Sequence, residues 1–322
     1  MLSEFELIRR FFTHRTPGAV LGVGDDAALV RVKSGTELAI SADMLLEGRH
    51  FLPDADPQQL GHKALAVNLS DMAAMGAQPR WVTLALALPR VDPRWLGAFA
   101  RGFMTLARAH RVELIGGDTT RGPLSICVQI MGEVPKGQAL RRDGAKVGDD
   151  VWVSGQLGAA ALALALRKGR IRAAASDRRA LEQRLHAPTP RVELGIALRG
   201  IAHSAIDISD GLLADLGHIC ERSKVAASIE WEALPATPYV RAQAQSAAGA
   251  RALLAGGDDY ELCFTAAIRK RSAVLRAAAR ARVPVMLIGG IVAGRRGQEP
   301  VEVLDSIGKP LSVRSRGYDH FR

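Results

Sequence analysis

At 322 residues, 48% of them hydrophobic, the chain is long enough for two domains and a substantial core. Lys plus Arg outnumber Asp plus Glu by 43 to 33, and the resulting net charge of +10 favours phosphorylated or other polyanionic partners. Aromatics are only 5% and do not interleave with the scattered basic residues, which argues against a nucleic-acid surface; no apolar run is long enough to span a membrane.

The start of the chain carries Glu4 and Glu6 and does not read as a signal peptide, so a soluble, cytoplasmic protein is expected. Cys127, Cys220 and Cys263 are odd in number and each lies in an apolar run, which predicts buried thiols. Glu4–Phe12 reads as a short amphipathic helix. A glycine turn over Gly22–Ala28 then presents Asp25 and Asp26. Leu29–Val32 and Leu38–Ser41 read as the strands of a hairpin, the second ending on Ala42-Asp43; Glu47–Phe51 reads as a loop.

From about His62 the spacing of Leu65, Leu69 and Met72 predicts an amphipathic helix, with Asn68 and Asp71 sharing another face, stopped by Gly76 and Pro79. Strand Trp81–Leu88 follows, then a helix marked by Trp95, Phe99 and Leu106. Strand Val112–Ile115 delivers Gly116-Gly117-Asp118-Thr119-Thr120. Leu124, Ile126, Val128 and Ile130 alternate, the mark of a strand with one buried face. Gly132–Gly148 is rich in Gly, Lys, Arg and Pro and is read as the domain boundary.

The second half holds strand Val151–Ser154, helix Leu157–Leu166 and a basic helical stretch over Arg167–Arg184. Thr189-Pro190 reads as a helix start, Thr as N-cap and Pro at the first position. Asp207-Ile208-Ser209-Asp210-Gly211 opens a helix with apolar Leu212, Leu216 and Ile219. Gly256–Leu262 leads into strand Cys263–Ala266. After a basic Ala-rich helix, strand Val285–Ile288 ends in Gly289-Gly290, and the chain closes on Gly317–Phe321. Strands and helices mix without regular alternation, so the fold class is read as α+β.

The chemistry is carried by Asp25, Asp26, Asp43, Asp71, Asp118, Asp207 and Asp210, most of them at expected strand ends or helix starts. Clustered ionised carboxylates repel one another unless cations neutralise them, and hard divalent ions with oxygen ligands, Mg²⁺ above all, meet that need. The helix start at Asp207–Gly211 favours phosphate or a metal–phosphate complex. The chain has no Walker A motif, no protein-kinase His-Arg-Asp set and no nucleophile elbow, and His50 and His320 lack zinc spacing. The residues by themselves point to Mg²⁺-dependent handling of a nucleotide or phosphate ester.

The ordered motifs EFELIRRFF, GVGDDAALV, SADMLLEGRHF, GHKALAVNLSDMAAMGAQP, GGDTT, RRDGAKVGD, DISDGLLADL, GGDDYEL and GYDHF resemble the thiamine-monophosphate kinase family over nearly the whole chain. That family stands in the superfamily of aminoimidazole ribonucleotide synthetase and selenophosphate synthetase. The resemblance implies an N-terminal ATP- and Mg-binding domain over residues 1–137 that pairs strands across a homodimer. It also implies a C-terminal α/β domain over residues 148–322 that completes the substrate site. The implied reaction is direct in-line transfer from ATP to thiamine monophosphate. By motif, Asp26, Ser41, Ala42 through its backbone, Asp43, Asp71, Asp118, Asp207 and Asp210 would hold several Mg²⁺ ions, with Asp71, Asp43, Asp118 and Asp210 central to the reaction. Gly117, Asp118, Arg142 and Ser209 would meet ATP; His50, Asp258 and Tyr318 would line the thiamine monophosphate pocket. The family usually has Glu at the place of Asp258, and Ser or Thr is frequent at the place of Ala42.

Rival readings remain at this point. Another ATP-using synthetase of the superfamily is one; a selenophosphate synthetase would need a reactive Cys near the N-terminus, and the first here is Cys127. A non-catalytic Mg-nucleotide-binding module is another, although every carried-over Asp position is filled.

Overall fold

A computed structural model describes residues 3–311, apart from Arg296 and Gln298, together with Gly317. Tyr318, for which a pocket role is implied, therefore lies outside the described residues. The chain forms two compact units, Met1–Met72 with Ala77–Gly137, and Ala73–Gly76 with Gln138–Arg322.

The first unit opens with α1 (Glu4–Phe11), capped by Ser3, whose Oγ accepts the Glu6 N–H while Glu6 returns a carboxylate oxygen to the Ser3 N–H at 2.8 Å. Then come β1 (Ala19–Leu21), β2 (Leu29–Val30), β3 (Thr36–Leu46), α2 (Pro57–Ala74), β4 (Gln78–Leu88), α3 (Pro93–His110), β5 (Glu113–Arg121) and β6 (Ser125–Pro135). The main sheet runs β3-β6-β4-β5, antiparallel except for the parallel β4/β5 pair. The expected hairpin between residues 29–32 and 38–41 does not form. β2 pairs with β1, while β3 pairs with β6 along its whole length, from Thr36 opposite Pro135 to Leu46 opposite Ser125. A tight turn bound by the Thr36 N–H and hydroxyl on the Lys33 carbonyl carries the chain into that ladder instead. Consequently Asp43 stands inside a strand, and β5 likewise continues through Asp118.

On β6, Ile126, Val128 and Ile130 are buried, as the alternation requires, while Cys127 between them is half-buried. β3 is an edge strand, and Leu38, Ile40 and Met44 are exposed on one of its faces. Helices α2 and α3 meet backbone to backbone. A Cβ at Gly61 would lie 2.1 Å from the Phe99 carbonyl oxygen, and one at Gly102 would lie 1.8 Å from that of Gln58. No side chain can relieve either clash. Gly102→Ala is expected to destabilise this unit by about 3 kcal/mol or more, read as a fall in the urea midpoint.

The second unit contains β7 (Asp149–Ser154), α4 (Ala159–Arg167), α5 (Ala175–His186), α6 (Val192–Ala197), β8 (Ser204–Asp207), α7 (Leu212–Ser223), β9 (Ala226–Glu230), α8 (Pro238–Gln243), α9 (Ala247–Ala255), β10 (Leu262–Ala267), α10 (Arg271–Ala281), β11 (Val285–Val292) and β12 (Val301–Leu304). Its sheet runs β12-β9-β11-β7-β10-β8, antiparallel except for β12/β9, so the unit is α+β. Every residue of β7 and β10 is buried, including the polar Asp149, Asp150, Ser154 and Thr265. Their core partners include Leu157, Ile206, Leu212, Leu216, Ile219 and Leu253.

Thr189-Pro190 does not start a helix. The helix α6 begins at Val192 with Arg191 before it and no side-chain cap, since a guanidinium has no acceptor to offer; that of Arg191 donates to Glu261 instead. Buried thiols are found at Cys220 and Cys263; burial pushes the Cys220 thiol up to about 12. No helix among the described residues is long and apolar enough to cross a membrane.

Candidate active site

In the first unit, α2 starts at Asp56, whose carboxylate accepts the Gln59 N–H at 2.9 Å, with Pro57 in the first turn. From Leu60 to Ala74 every residue is buried except His62 and Asp71. The helix expected to be amphipathic is thus enclosed on nearly all sides, and Asn68, expected to share the face of Asp71, is fully buried. The Asn68 Nδ2 donates to the Ala64 carbonyl at 3.1 Å, and its Oδ1 has no hydrogen-bond partner in the protein.

Asp71 accepts a hydrogen bond from the Ser41 hydroxyl at 2.5 Å. Strand alternation sets Asp43 and buried Leu45 on the Ser41 face of β3, and turns the Ala42 side chain to the exposed face with Ile40 and Met44. Ser41 and Asp71 are in contact and Asp43 shares the Ser41 face; oxygen donors of this kind fit a hard divalent cation whose shell is completed by water and phosphate. Asp118 is exposed on β5 opposite Ala85, one row on from Gly117, Leu84, Val128 and Asp43. Gly117 has φ +148°, and a Cβ there would lie 1.9 Å from the Leu84 carbonyl oxygen, so only glycine allows β5 this close to β4. Asp25 and Asp26 are exposed in the turn after β1. The His50 Nδ1 accepts the Leu46 N–H at 3.0 Å, which leaves the proton of the neutral ring on Nε2.

In the second unit, two loops leave the same end of neighbouring strands. Asp207 ends β8 and Leu262 begins β10, directly opposite each other. The Asp207–Gly211 and Gly256–Glu261 loops then extend the ladder. Ile208 N–H donates to the Glu261 carbonyl at 2.7 Å, Tyr260 N–H to that of Ile208 at 2.8 Å, and Asp258 N–H to that of Ser209 at 2.9 Å. A Cβ on Gly257 would lie 2.4 Å from the Ser209 carbonyl oxygen. The close fit puts Asp258 and Tyr260 in the left-handed region, at φ +69° and +49°. Asp tolerates that conformation better than a longer side chain does. The Tyr260 hydroxyl donates to Asp258 Oδ1 at 3.0 Å.

Residues that the sequence reading did not single out hold these loops. Asp215, buried in the first turn of α7, accepts the N–H groups of Ser209, Asp210 and Gly211 on Oδ2 at 3.1, 3.1 and 3.0 Å. Burial, then the charges of Asp207 and Asp210, push its carboxyl up to about 8 against the pull of those N–H groups. Three loop N–H groups just before this helix start are thus held by the chain's own carboxyl group. An acidic residue in a helix first turn is a visible signal for such a cap. Asp259 caps α4, accepting the Gly158 N–H at 2.7 Å; burial holds its carboxyl well above the usual carboxylate range. Glu261, fully buried, takes a bidentate contact from Arg191 at 2.6 and 2.5 Å and a hydrogen bond from the Ser154 hydroxyl at 2.6 Å.

Arg142 and Ser209 lie in this unit, with the Arg142 side chain exposed and Ser209 half-buried. The Arg142 carbonyl is held by the Ser223 hydroxyl at 2.8 Å. Among the described residues, no three carboxylate, imidazole or thiol side chains converge closely enough to cage an ion. The carried-over ligand positions divide between the units: Asp26, Ser41, Ala42, Asp43, Asp71 and Asp118 lie in the first, Asp207 and Asp210 in the second.

Residues 24–134 match the family profile of the AIR synthase related protein N-terminal domain, and residues 146–302 that of its C-terminal domain. The thiamine-monophosphate kinase of Escherichia coli (strain K12) is 46% identical over 323 residues, 99% of this chain and 98% of the relative. That of Haemophilus influenzae is 44% identical over all of this chain and 98% of its own length. A crystal structure of thiamine-monophosphate kinase from Stenotrophomonas maltophilia superposes with a TM-score of 0.83 at 49% identity, covering 89% of this chain and 91% of the other. AaThiL complexed with AMPPCP and TMP superposes at 0.78 with 30% identity, covering 98% and 96%. Full-length identity and both domain matches agree: the chain belongs to the thiamine-monophosphate kinase family of AIR synthase related proteins.

Proposed function

We propose that this chain transfers the γ-phosphoryl group of ATP to thiamine monophosphate, giving thiamine diphosphate and ADP. The observation that carries the reading is 46% identity along 99% of the chain to a thiamine-monophosphate kinase. A relative solved with AMPPCP and TMP supports the pair of substrates.

Transfer is direct and in line. The acceptor is already a phosphate monoester dianion near neutral pH, so positioning and charge neutralisation carry the step and no covalent nucleophile is needed. We assign Mg²⁺ to Asp26, Ser41, the Ala42 backbone, Asp43, Asp71 and Asp118 in the first unit and to Asp207 and Asp210 in the second; these residues would hold ions that would neutralise the charge on the phosphates. Asp71, Asp43, Asp118 and Asp210 are the carboxylates most directly concerned. Gly117 and Asp118, and separately Arg142 and Ser209, are assigned to ATP; His50, Asp258 and Tyr318 are assigned to thiamine monophosphate. Residues 1–137 form the ATP, metal and dimerisation domain, and residues 148–322 the domain that completes the substrate site. The reaction belongs to the cytoplasm and involves neither nucleic acid nor membrane.

A homodimer through β3 accounts for an edge strand that exposes Leu38, Ile40 and Met44. Ile40→Asp is expected to yield a monomer in light scattering; an unchanged dimer would place the interface elsewhere.

The activity test uses purified protein, ATP, Mg²⁺ and thiamine monophosphate, with thiamine diphosphate followed by chromatography and free thiamine as a parallel acceptor. Product from the monophosphate alone, lost with EDTA, is expected. Tyr260→Phe removes the hydroxyl that holds Asp258. Losing a hydrogen bond to a charged group costs about 1.5–3 kcal/mol, so the KM for thiamine monophosphate should rise at least about tenfold with the KM for ATP little changed.

A further inference from the structure

A helix N-terminus with converging N–H groups ordinarily attracts an outside anion. Just before α7, three such N–H groups are satisfied from within. Asp215 Oδ2 accepts three consecutive N–H groups, and the Asp215 N–H in turn donates to the Gly211 carbonyl at 3.0 Å, closing the turn. The turn has little freedom, because Gly211 has φ +117° and a Cβ on it would lie 2.6 Å from the Ala255 carbonyl carbon. Asp207 and Asp210 stand just before this knot, and the stretch from Asp207 to Asp215 contains three carboxylates and no basic residue. With these three loop N–H groups consumed and three carboxyl groups between Asp207 and Asp215, the loop suits a cation better than a phosphate.

We propose that Asp215 is a positioning residue: an internal hydrogen-bond acceptor that fixes the Ser209–Gly211 backbone so that Asp207 and Asp210 are presented to a divalent cation. The inference rests on the reading of Asp207 and Asp210 as metal ligands. It assigns to Asp215 no contact with the ion. Without the carboxylate the three N–H groups lose their acceptor, the turn relaxes, and the helix start becomes open to outside anions. An amide at this position still offers one oxygen to the N–H groups.

The test uses the full chain without nucleotide, with Mn²⁺ as the probe, its free fraction read by electron paramagnetic resonance. Residues that orient metal ligands typically change affinity by about 10–100-fold. Asp215→Ala should weaken Mn²⁺ binding at least about tenfold and raise the Mg²⁺ concentration for half-maximal turnover by a similar factor. Inorganic phosphate should inhibit this variant at lower concentration than it inhibits the parent. Asp215→Asn should recover most of the Mn²⁺ affinity. If Asp215→Ala does not fold, Asp215→Glu, which keeps the carboxyl group and displaces the oxygen by a methylene, is read in the same titration with the same expected loss. Mn²⁺ binding by the parent that neither Asp215→Ala nor Asp215→Glu weakens would overturn this inference alone. A parent chain that binds no Mn²⁺ overturns the metal reading and this inference with it. Intact Mn²⁺ results without kinase activity leave Asp215 in its role and send the search to another acceptor.

Discussion

Asp71→Asn should lower kcat by about 1000-fold, in the range lost when one charge-stabilising group is removed from a preorganised site, while the protein stays folded. Asp71 is, with His62, one of the two positions between Leu60 and Ala74 of α2 that are not buried, and the Ser41 hydroxyl binds it at 2.5 Å. Asn has nearly the same shape, keeps an acceptor for Ser41, and removes the charge. The helix packs through Leu65, Leu69 and Met72, all under 2% exposed, and these are untouched. The melting temperature should therefore move little. Circular dichroism and a Mg²⁺ titration alongside the rate separate the outcomes: a folded variant with near-normal kcat would remove Asp71 from the proposed ligand set.

Arg191→Ala should destabilise the second unit by about 3–5 kcal/mol, the cost of leaving a buried charge without its partner. Glu261 is fully buried, and Arg191 reaches both of its oxygens; Arg184 adds only a 3.3 Å contact from a side chain that is 30% exposed. Arg184 therefore offsets little of the loss. Gly155 has φ +57°, and a Cβ there would stand 1.9 Å from a Glu261 oxygen, so the carboxylate occupies a space with no slack. The same residue's carbonyl takes the Ile208 N–H, so loss of the pair should also loosen the Asp207–Gly211 loop and lower activity. Replacing both partners, Arg191→Met with Glu261→Met, removes the uncompensated charge and should cost less than Arg191→Ala alone. Urea unfolding of the two singles and the double measures this; additive losses would mean that the pair is not the unit of stability.

Much of the architecture is local and can be read along the chain. The alternation of Ile126, Val128 and Ile130 on β6 and the periodicity of Phe99 and Leu106 on α3 follow from side-chain spacing alone. So does the α+β class, since strands and helices do not alternate regularly. The aspartates were visible as a pattern because residue type and turn-forming neighbours are written in the sequence. Asp215 was also within reach as an acid in a helix first turn.

Partner choice was not legible. β3 pairs with β6 and not with β2, because the full-length ladder satisfies more backbone groups than a two-residue strand can. The burial of Asn68 depends on what encloses α2, and periodicity cannot show a helix covered on nearly all faces. The start of α6 lies past Thr189-Pro190, where Arg191 just before it donates to Glu261, 70 residues away. Whether the N–H groups at α7 were open to phosphate turned on where one carboxylate folded. Spacing along a chain determines which faces exist; only packing decides what each face meets, because contacts between distant segments depend on the closure of the whole unit.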